Sequence, residues 1–140
     1  MRHQDGCHCG TLRFALHTRH AIAELPLRAC QCSFCRRHGA LSTSDPQGRA
    51  ELHVRDAALL TRYRFGLRTA DFLVCARCGV YVGATIEDSG ARYAILNANT
   101  FDEAAAFTQV ATPMDYEGED TASRRARRVA RWTPLEGVPP

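Results

Sequence analysis

The alternation of apolar and polar positions is the first order visible in this chain. Leu12, Phe14 and Leu16 alternate with Thr11, Arg13 and Ala15, the two-residue period of a strand with one buried face. Phe72, Val74, Val80 and Val82 flank Cys75-Ala76-Arg77-Cys78, which predicts a turn between two strands. Gly79, directly after it, can take the positive φ that such a turn needs. Thr85 and Ile86 run into Glu87-Asp88-Ser89-Gly90, a turn signal, and Tyr93, Ile95 and Asn97 resume the alternation; a hairpin is expected. Helical signals are short. Ser33 is placed to cap a turn through Cys35, Arg36 and Arg37 to Gly39. Segments 56–60 and 102–107 each start on an aspartate and are rich in helix formers, and Thr121 to Trp132 predicts an arginine-rich helix ended by Pro134. Nothing repeats, and no low-complexity linker divides the chain. The expectation is one mainly β domain over residues 1–140 with short helical inserts, residues 118–140 forming an arginine-rich C-terminal tail.

At 140 residues, 45% hydrophobic and 24% charged, the composition is that of a globular protein able to bury a core. No apolar run approaches the roughly 20 residues of a membrane span. Met1 to Gly10 is polar and does not read as a signal peptide, so a cytoplasmic location is the default.

The cysteines change the picture most. All seven fall in three clusters, Cys7-His8-Cys9, Cys30-Gln31-Cys32-Ser33-Phe34-Cys35 and Cys75-Ala76-Arg77-Cys78. An odd count in a reducing compartment argues for metal binding or catalysis rather than disulfides. Residues two apart on a strand share a face, so Cys7 and Cys9, or Cys30 and Cys32, can turn two sulfurs to one ion, and Cys35 can fold back as a third. Cys75 and Cys78 form a knuckle. No cluster supplies four ligands, and a two-plus-two pairing closes a four-sulfur site without leaving one over. Cys7, Cys9, Cys75 and Cys78 would make that site, with Cys30, Cys32 and Cys35 left for a second ion. Zinc closed by four ligands is usually structural, whereas three ligands and an open position mark a catalytic one. His38, three residues after Cys35, is the candidate to close the second site; His8, between two ligands, would point away from their metal, and His3, His17, His20 and His53 show no ligand spacing.

Charge then loses its apparent meaning. The formal net charge is +3, but seven thiolates with two zinc ions would bring it near zero, which gives no support for nucleic-acid binding. All 18 basic residues are arginine, so lysine Schiff-base chemistry is excluded. Arg124, Arg125, Arg127, Arg128 and Arg131 read as a solvated helix pairing with Glu117, Glu119 and Asp120, with Trp132 anchoring it as core. Asn97 and Asn99 alternate on a strand and suit either a substrate or the strand edge.

Gly6-Cys7-His8-Cys9-Gly10 with Leu12-Arg13-Phe14, Cys30 to Ala40, and Cys75 to Val80 together resemble the glutathione-dependent formaldehyde-activating enzyme family. The likeness extends through Leu60 to Phe65 and Ile95-Leu96-Asn97, over roughly residues 4 to 100. It departs in one place: the family commonly has an aromatic residue directly before the C-x-x-C, where this chain has Val74. The resemblance implies a zinc-binding β-tent and two zinc ions, a structural one on Cys7, Cys9, Cys75 and Cys78 and a catalytic one on Cys30, Cys32 and Cys35. It further implies a carbon–sulfur lyase that joins a low-molecular-weight thiol, glutathione above all, to formaldehyde or another small aldehyde, and it makes a homodimer reasonable. Arg36 and Arg37 are candidates for holding the carboxylates of such a peptide.

Two other function classes remain open at this level. A vertebrate centromere protein resembles the same family, so a non-catalytic zinc-stabilised module that binds protein or nucleic acid is the alternative. A metal-buffering or redox protein is the third; its cysteine triplet would lose zinc on mild oxidation.

Overall fold

The computed structural model describes residues 1–137 and is mainly β. In chain order the described residues form β1 (Arg2–Gly6), β2 (Leu12–His17), β3 (Arg28–Cys30), α1 (Ser33–His38), β4 (Ser42–Thr43) and β5 (Arg49–Val54). There follow β6 (Leu60–Tyr63), β7 (Asp71–Cys75), β8 (Tyr81–Asp88), β9 (Ala91–Asn97), β10 (Thr112–Met114), α2 (Thr121–Arg131) and β11 (Thr133–Glu136). No helix among them is long and apolar enough to cross a membrane.

The strands branch at β9. One path runs β1-β2-β5-β11-β9-β4-β3-β10, and β8, β7 and β6 follow one another from the other edge of β9. The expected hairpin is the antiparallel β8–β9 pair, in register from Gly83 opposite Leu96 to Asp88 opposite Ala91. On its opposite edge β9 takes β11 at Tyr93 and Ala94 and β4 at Leu96 and Asn97. One register irregularity falls where Leu73 faces Gly83 but Val74 faces Tyr81, so Val82 is the extra residue of a bulge.

The alternation at the start of the chain sets the core. Leu12, Phe14 and Leu16 of β2 are fully buried and pack with Leu73, Val82 and Leu96 of β7, β8 and β9. Burying each side chain of this size contributes about 1.5–3 kcal/mol. Cys7 and Cys75 belong to the same cluster, which roots the first and third cysteine motifs in the core. Gly83 lies beneath Phe14, and a Cβ there would strike the Ile95 carbonyl.

Four sequence expectations need correction. The cap of α1 is Cys32, whose sulfur accepts a hydrogen bond from the Cys35 N–H at 3.3 Å; Ser33 is the first helical residue. Gly39 ends that helix at φ 58°, as Ala40 N–H closes onto the Cys35 carbonyl. Segments 56–60 and 102–107 shrink to three-residue 3-10 turns, Ala57–Leu59 and Ala104–Ala106, too short to bury an apolar face of their own. Asn99 lies in a third such turn, Ala98–Thr100, rather than on the strand; its side chain donates to the Gly39 carbonyl, and that of Asn97 to the Tyr81 carbonyl.

The fourth correction concerns the arginine-rich segment. α2 starts at the expected place, with Asp120 as its cap, and stops at Arg131. Thr133, held extended by the following proline, turns the chain into β11, which runs parallel to β5 and antiparallel to β9. Pro134 therefore begins a strand instead of only ending a helix. The arginines are not a solvated row either. Glu119 takes both Arg124 and Arg127, Arg125 reaches Asp88 and the Glu87 carbonyl, and Arg128 is buried. Trp132 is buried as expected. Residues 138–140 of the expected tail lie outside the described residues.

Candidate metal centres and the adjoining cavity

The first and third cysteine motifs fold alike. Cys7 N–H donates to the Leu12 carbonyl and Gly10 N–H to the Cys7 carbonyl; Cys75 N–H donates to Val80 and Gly79 N–H to Cys75 in the same way. Gly10 and Gly79 sit at φ 83° and 79°, which a side chain would resist. Each turn thus presents two sulfurs, and the β-sheet brings the turns face to face. The four sulfurs of Cys7, Cys9, Cys75 and Cys78 lie within 4.8 Å of one another. Cys9 Sγ is 3.7 Å from Cys7 Sγ and 3.6 Å from Cys75 Sγ. Zinc–sulfur bonds of about 2.3 Å in a tetrahedron put sulfurs ~3.8 Å apart, so this set fits a tetrahedral soft cation. Leu12 N–H donates to Cys7 Sγ at 3.2 Å, and Thr11 Oγ1 lies 3.2 Å from Cys9 Sγ. That hydroxyl lowers the Cys9 thiol to about 6, while burial pushes Cys7 up to about 11.

The second motif is built differently. Cys30 ends β3, Cys32 caps α1 and Cys35 lies in its first turn, so three sulfurs converge within 4.8 Å. Hydrogen bonds from Cys30 and Cys35 hold the Cys32 thiol far below its ordinary value, and the same contacts push Cys35 far above. Thiolates this close repel one another, and a cation among them offsets that repulsion. A soft divalent ion held by three sulfurs does this. Among the described residues no histidine or carboxylate joins the group. His38 is exposed, its ring 4.5 Å from Phe34 and 5.6 Å from Tyr81.

A cavity of about 560 Å³ opens beside this triplet, bounded by all three cysteines. One wall is aromatic: Phe65, Phe72 and Tyr81 line it, and Phe34 packs behind them at 4.9–5.4 Å. Burial, with the nearby thiols adding to it, keeps the Tyr81 phenol protonated well above its usual range. Arg28 of β3, Arg124, Arg127 and Arg128 of α2, and Trp132 directly after α2 line it as well. Arg36 also lines the cavity, its Nε donating to the Gln31 carbonyl; Arg37 is exposed and is not part of the lining. The cysteines and Arg36 were legible in the sequence. The α2 residues were not, and the available signal was Trp132 placed four residues after Arg128, one helical turn that puts both on one face.

The family profile described as glutathione-dependent formaldehyde-activating enzyme matches residues 2–116. A crystal structure of a Rhodobacter sphaeroides protein superposes with a TM-score of 0.53 at 25% identity, covering 86% of this chain and 94% of that one. The profile match spans all three cysteine motifs and stops before α2.

Proposed function

Since this chain belongs to the glutathione-dependent formaldehyde-activating enzyme family, we propose that it is a carbon–sulfur lyase acting on the adduct of a low-molecular-weight thiol, glutathione, with formaldehyde or another small aldehyde. The observation that carries this reading is the three-thiol cluster open to a cavity, set against a four-thiol cluster that is complete in itself. Cys30, Cys32 and Cys35 would hold one zinc ion, and Cys7, Cys9, Cys75 and Cys78 a second. Zinc in the three-sulfur site would supply a cationic centre that favours the ionised form of an incoming thiol.

The residues of the chain do the rest. The Cys35 N–H bond to Cys32 Sγ and the short helix α1 fix the spacing of the three sulfurs. Phe65, Phe72 and Tyr81 exclude water from one side of the cavity, which strengthens every polar interaction within it. Addition of a thiol to an aldehyde forms one carbon–sulfur bond, and the proton lost from sulfur balances the one gained by the carbonyl oxygen. Arg36, on the lining, is available to a carboxylate of the peptide.

Zinc quantification and turnover of the wild type and Cys32→Ser test this proposal. Two zinc ions per chain falling to one, with the fold kept and the adduct no longer formed, is the expected result. A Cys32→Ser protein with full activity would overturn it.

A further inference from the structure

The arginines on the cavity lining are not all paired alike. Arg124 and Arg127 share Glu119, with Arg127 Nε 2.8 Å from its carboxylate. Arg28 and Arg128 have no such partner. Among the described residues neither forms an ion pair: Arg28 Nη1 donates to Ser44 Oγ at 3.1 Å and Arg128 Nη1 to Thr69 Oγ1 at 2.7 Å. Arg128 is only 8% exposed, and its Nε finds no hydrogen-bond partner. Trp132, 4% exposed and with its ring 5.0 Å from the Arg128 guanidinium, has an indole N–H that is likewise unpartnered. All three residues line the cavity beside the cysteine triplet.

This arrangement is costly without an anion. A buried charge needs a counter-charge or a full set of hydrogen bonds, and a buried N–H left unmade costs about 1–3 kcal/mol. Burial, together with repulsion from Arg127 and Arg124, lowers the Arg128 guanidinium to about 10, and the charges of Glu119 and Cys30 offset only part of that. The acids on the lining relieve it only in part. Glu119 is committed to two other arginines, and Asp115 and Glu117 are exposed, Asp115 Oδ1 accepting from the Glu117 N–H. Two guanidinium side chains on the lining of one cavity suit a planar anion with two acceptor oxygens.

We propose that Arg28 and Arg128, the latter packed over the Trp132 ring, form a carboxylate subsite that anchors the thiol substrate by a carboxylate while its sulfur end reaches Cys30, Cys32 and Cys35. The subsite lies partly outside the stretch matched by the family profile, since Arg128 and Trp132 follow residue 116. Arg28 lies in β3 inside that stretch, while Arg128 belongs to α2 and Trp132 directly follows it. The identity of the ligand rests on the thiol–aldehyde reading given above; the preference for an anion does not.

The chain has a single tryptophan, so Trp132 fluorescence reports the subsite directly. The probe is S-methylglutathione, a thioether that keeps both carboxylates but has no thiol to react. Titration into the zinc-loaded wild type should change the fluorescence saturably. The dimethyl ester of the same probe should bind at least tenfold more weakly, an arm that needs no variant. Arg128→Leu should weaken binding of the acid at least tenfold and Arg28→Gln severalfold, while Arg125→Gln, paired to Asp88 away from the cavity, leaves it unchanged. Arg128→Leu should also melt no lower than wild type, because it removes an uncompensated buried charge, whereas a purely structural arginine would lower it. Acid and ester binding equally, or Arg128→Leu binding as wild type does, overturns the proposal. Glyoxylate displaying the Arg128 dependence while S-methylglutathione shows none overturns the assignment of the carboxylate to the thiol. Cys32→Ser losing turnover with one zinc ion, against Arg128→Leu losing probe binding with both zinc ions kept, separates the two proposals.

Discussion

The two sulfur clusters are made from the same amino acid and differ in what surrounds them. Cys7, Cys9, Cys75 and Cys78 sit on two matching turns at the ends of core strands, and the set is complete in itself. Cys30, Cys32 and Cys35 sit at a strand end and at the start of a six-residue helix, number one sulfur fewer, and border a cavity that arginines also line. A complete set rooted in the core suits holding a fold together. An incomplete set at the edge of a cavity suits an incoming ligand. The lesson is that ligand count and wall chemistry separate the two roles where residue type does not.

The comparison breaks most sharply at the complete site. Cys75→Ser should abolish folding or cost on the order of 5 kcal/mol or more, since binding of a structural zinc is coupled to folding. Denaturant titration of the zinc-loaded protein measures it, and a loss under about 1 kcal/mol would mean that the four sulfurs do not hold the sheets. Cys32→Ser should show the reverse pattern, with turnover down on the order of a hundredfold and circular dichroism unchanged.

Two glycines sharpen the contrast at smaller amplitude. Gly79 and Gly39 both hold positive φ, at 79° and 58°, and neither meets an obstruction to a Cβ. Alanine at either should therefore cost about 1–2 kcal/mol of backbone strain and nothing from clash. Gly79→Ala should lower the melting temperature alone, whereas Gly39→Ala, which ends the helix bearing Cys35, should lower turnover as well.

The smallest effect is expected from the anchor of α2. Arg127 and, next, Arg124 hold the Glu119 carboxyl below its usual 4.5. A carboxylate depressed in the folded state stabilises above its unfolded pKa and stops doing so as pH falls through the folded value. Wild type should therefore lose under about 1 kcal/mol below pH 4.5 that Glu119→Gln does not lose, read from paired melting curves.

Much of this was legible in the residues. The alternation from Leu12 to Leu16, the Cys75–Cys78 turn with Gly79, and the hairpin around Glu87–Gly90 all appear where the pattern puts them, since each spans enough residues to display a period. β3, β4 and β11 are two to four residues long, too short for a period to emerge, and prolines inside β10 and β11 argue against strands at all. Arg128 was illegible for another reason. An arginine in an arginine-rich helix reads as solvated, and only the packing of α2 over the cavity buries it. The three sulfurs of the candidate site could be named from spacing, but the α2 residues that share their cavity could not, because they come from a helix about 90 residues further along the chain.

The division of labour between the clusters can be read in one spectrum. Cobalt(II) substituted for zinc gives visible bands that report its sulfur ligands, and two sites should fill per chain. Adding glutathione should shift the bands of one site only, and Cys32→Ser should abolish that shift while leaving the other site's bands in place. A spectrum that ignores glutathione, or in which both sites respond, would contradict the assignment of one cluster to the fold and the other to the chemistry.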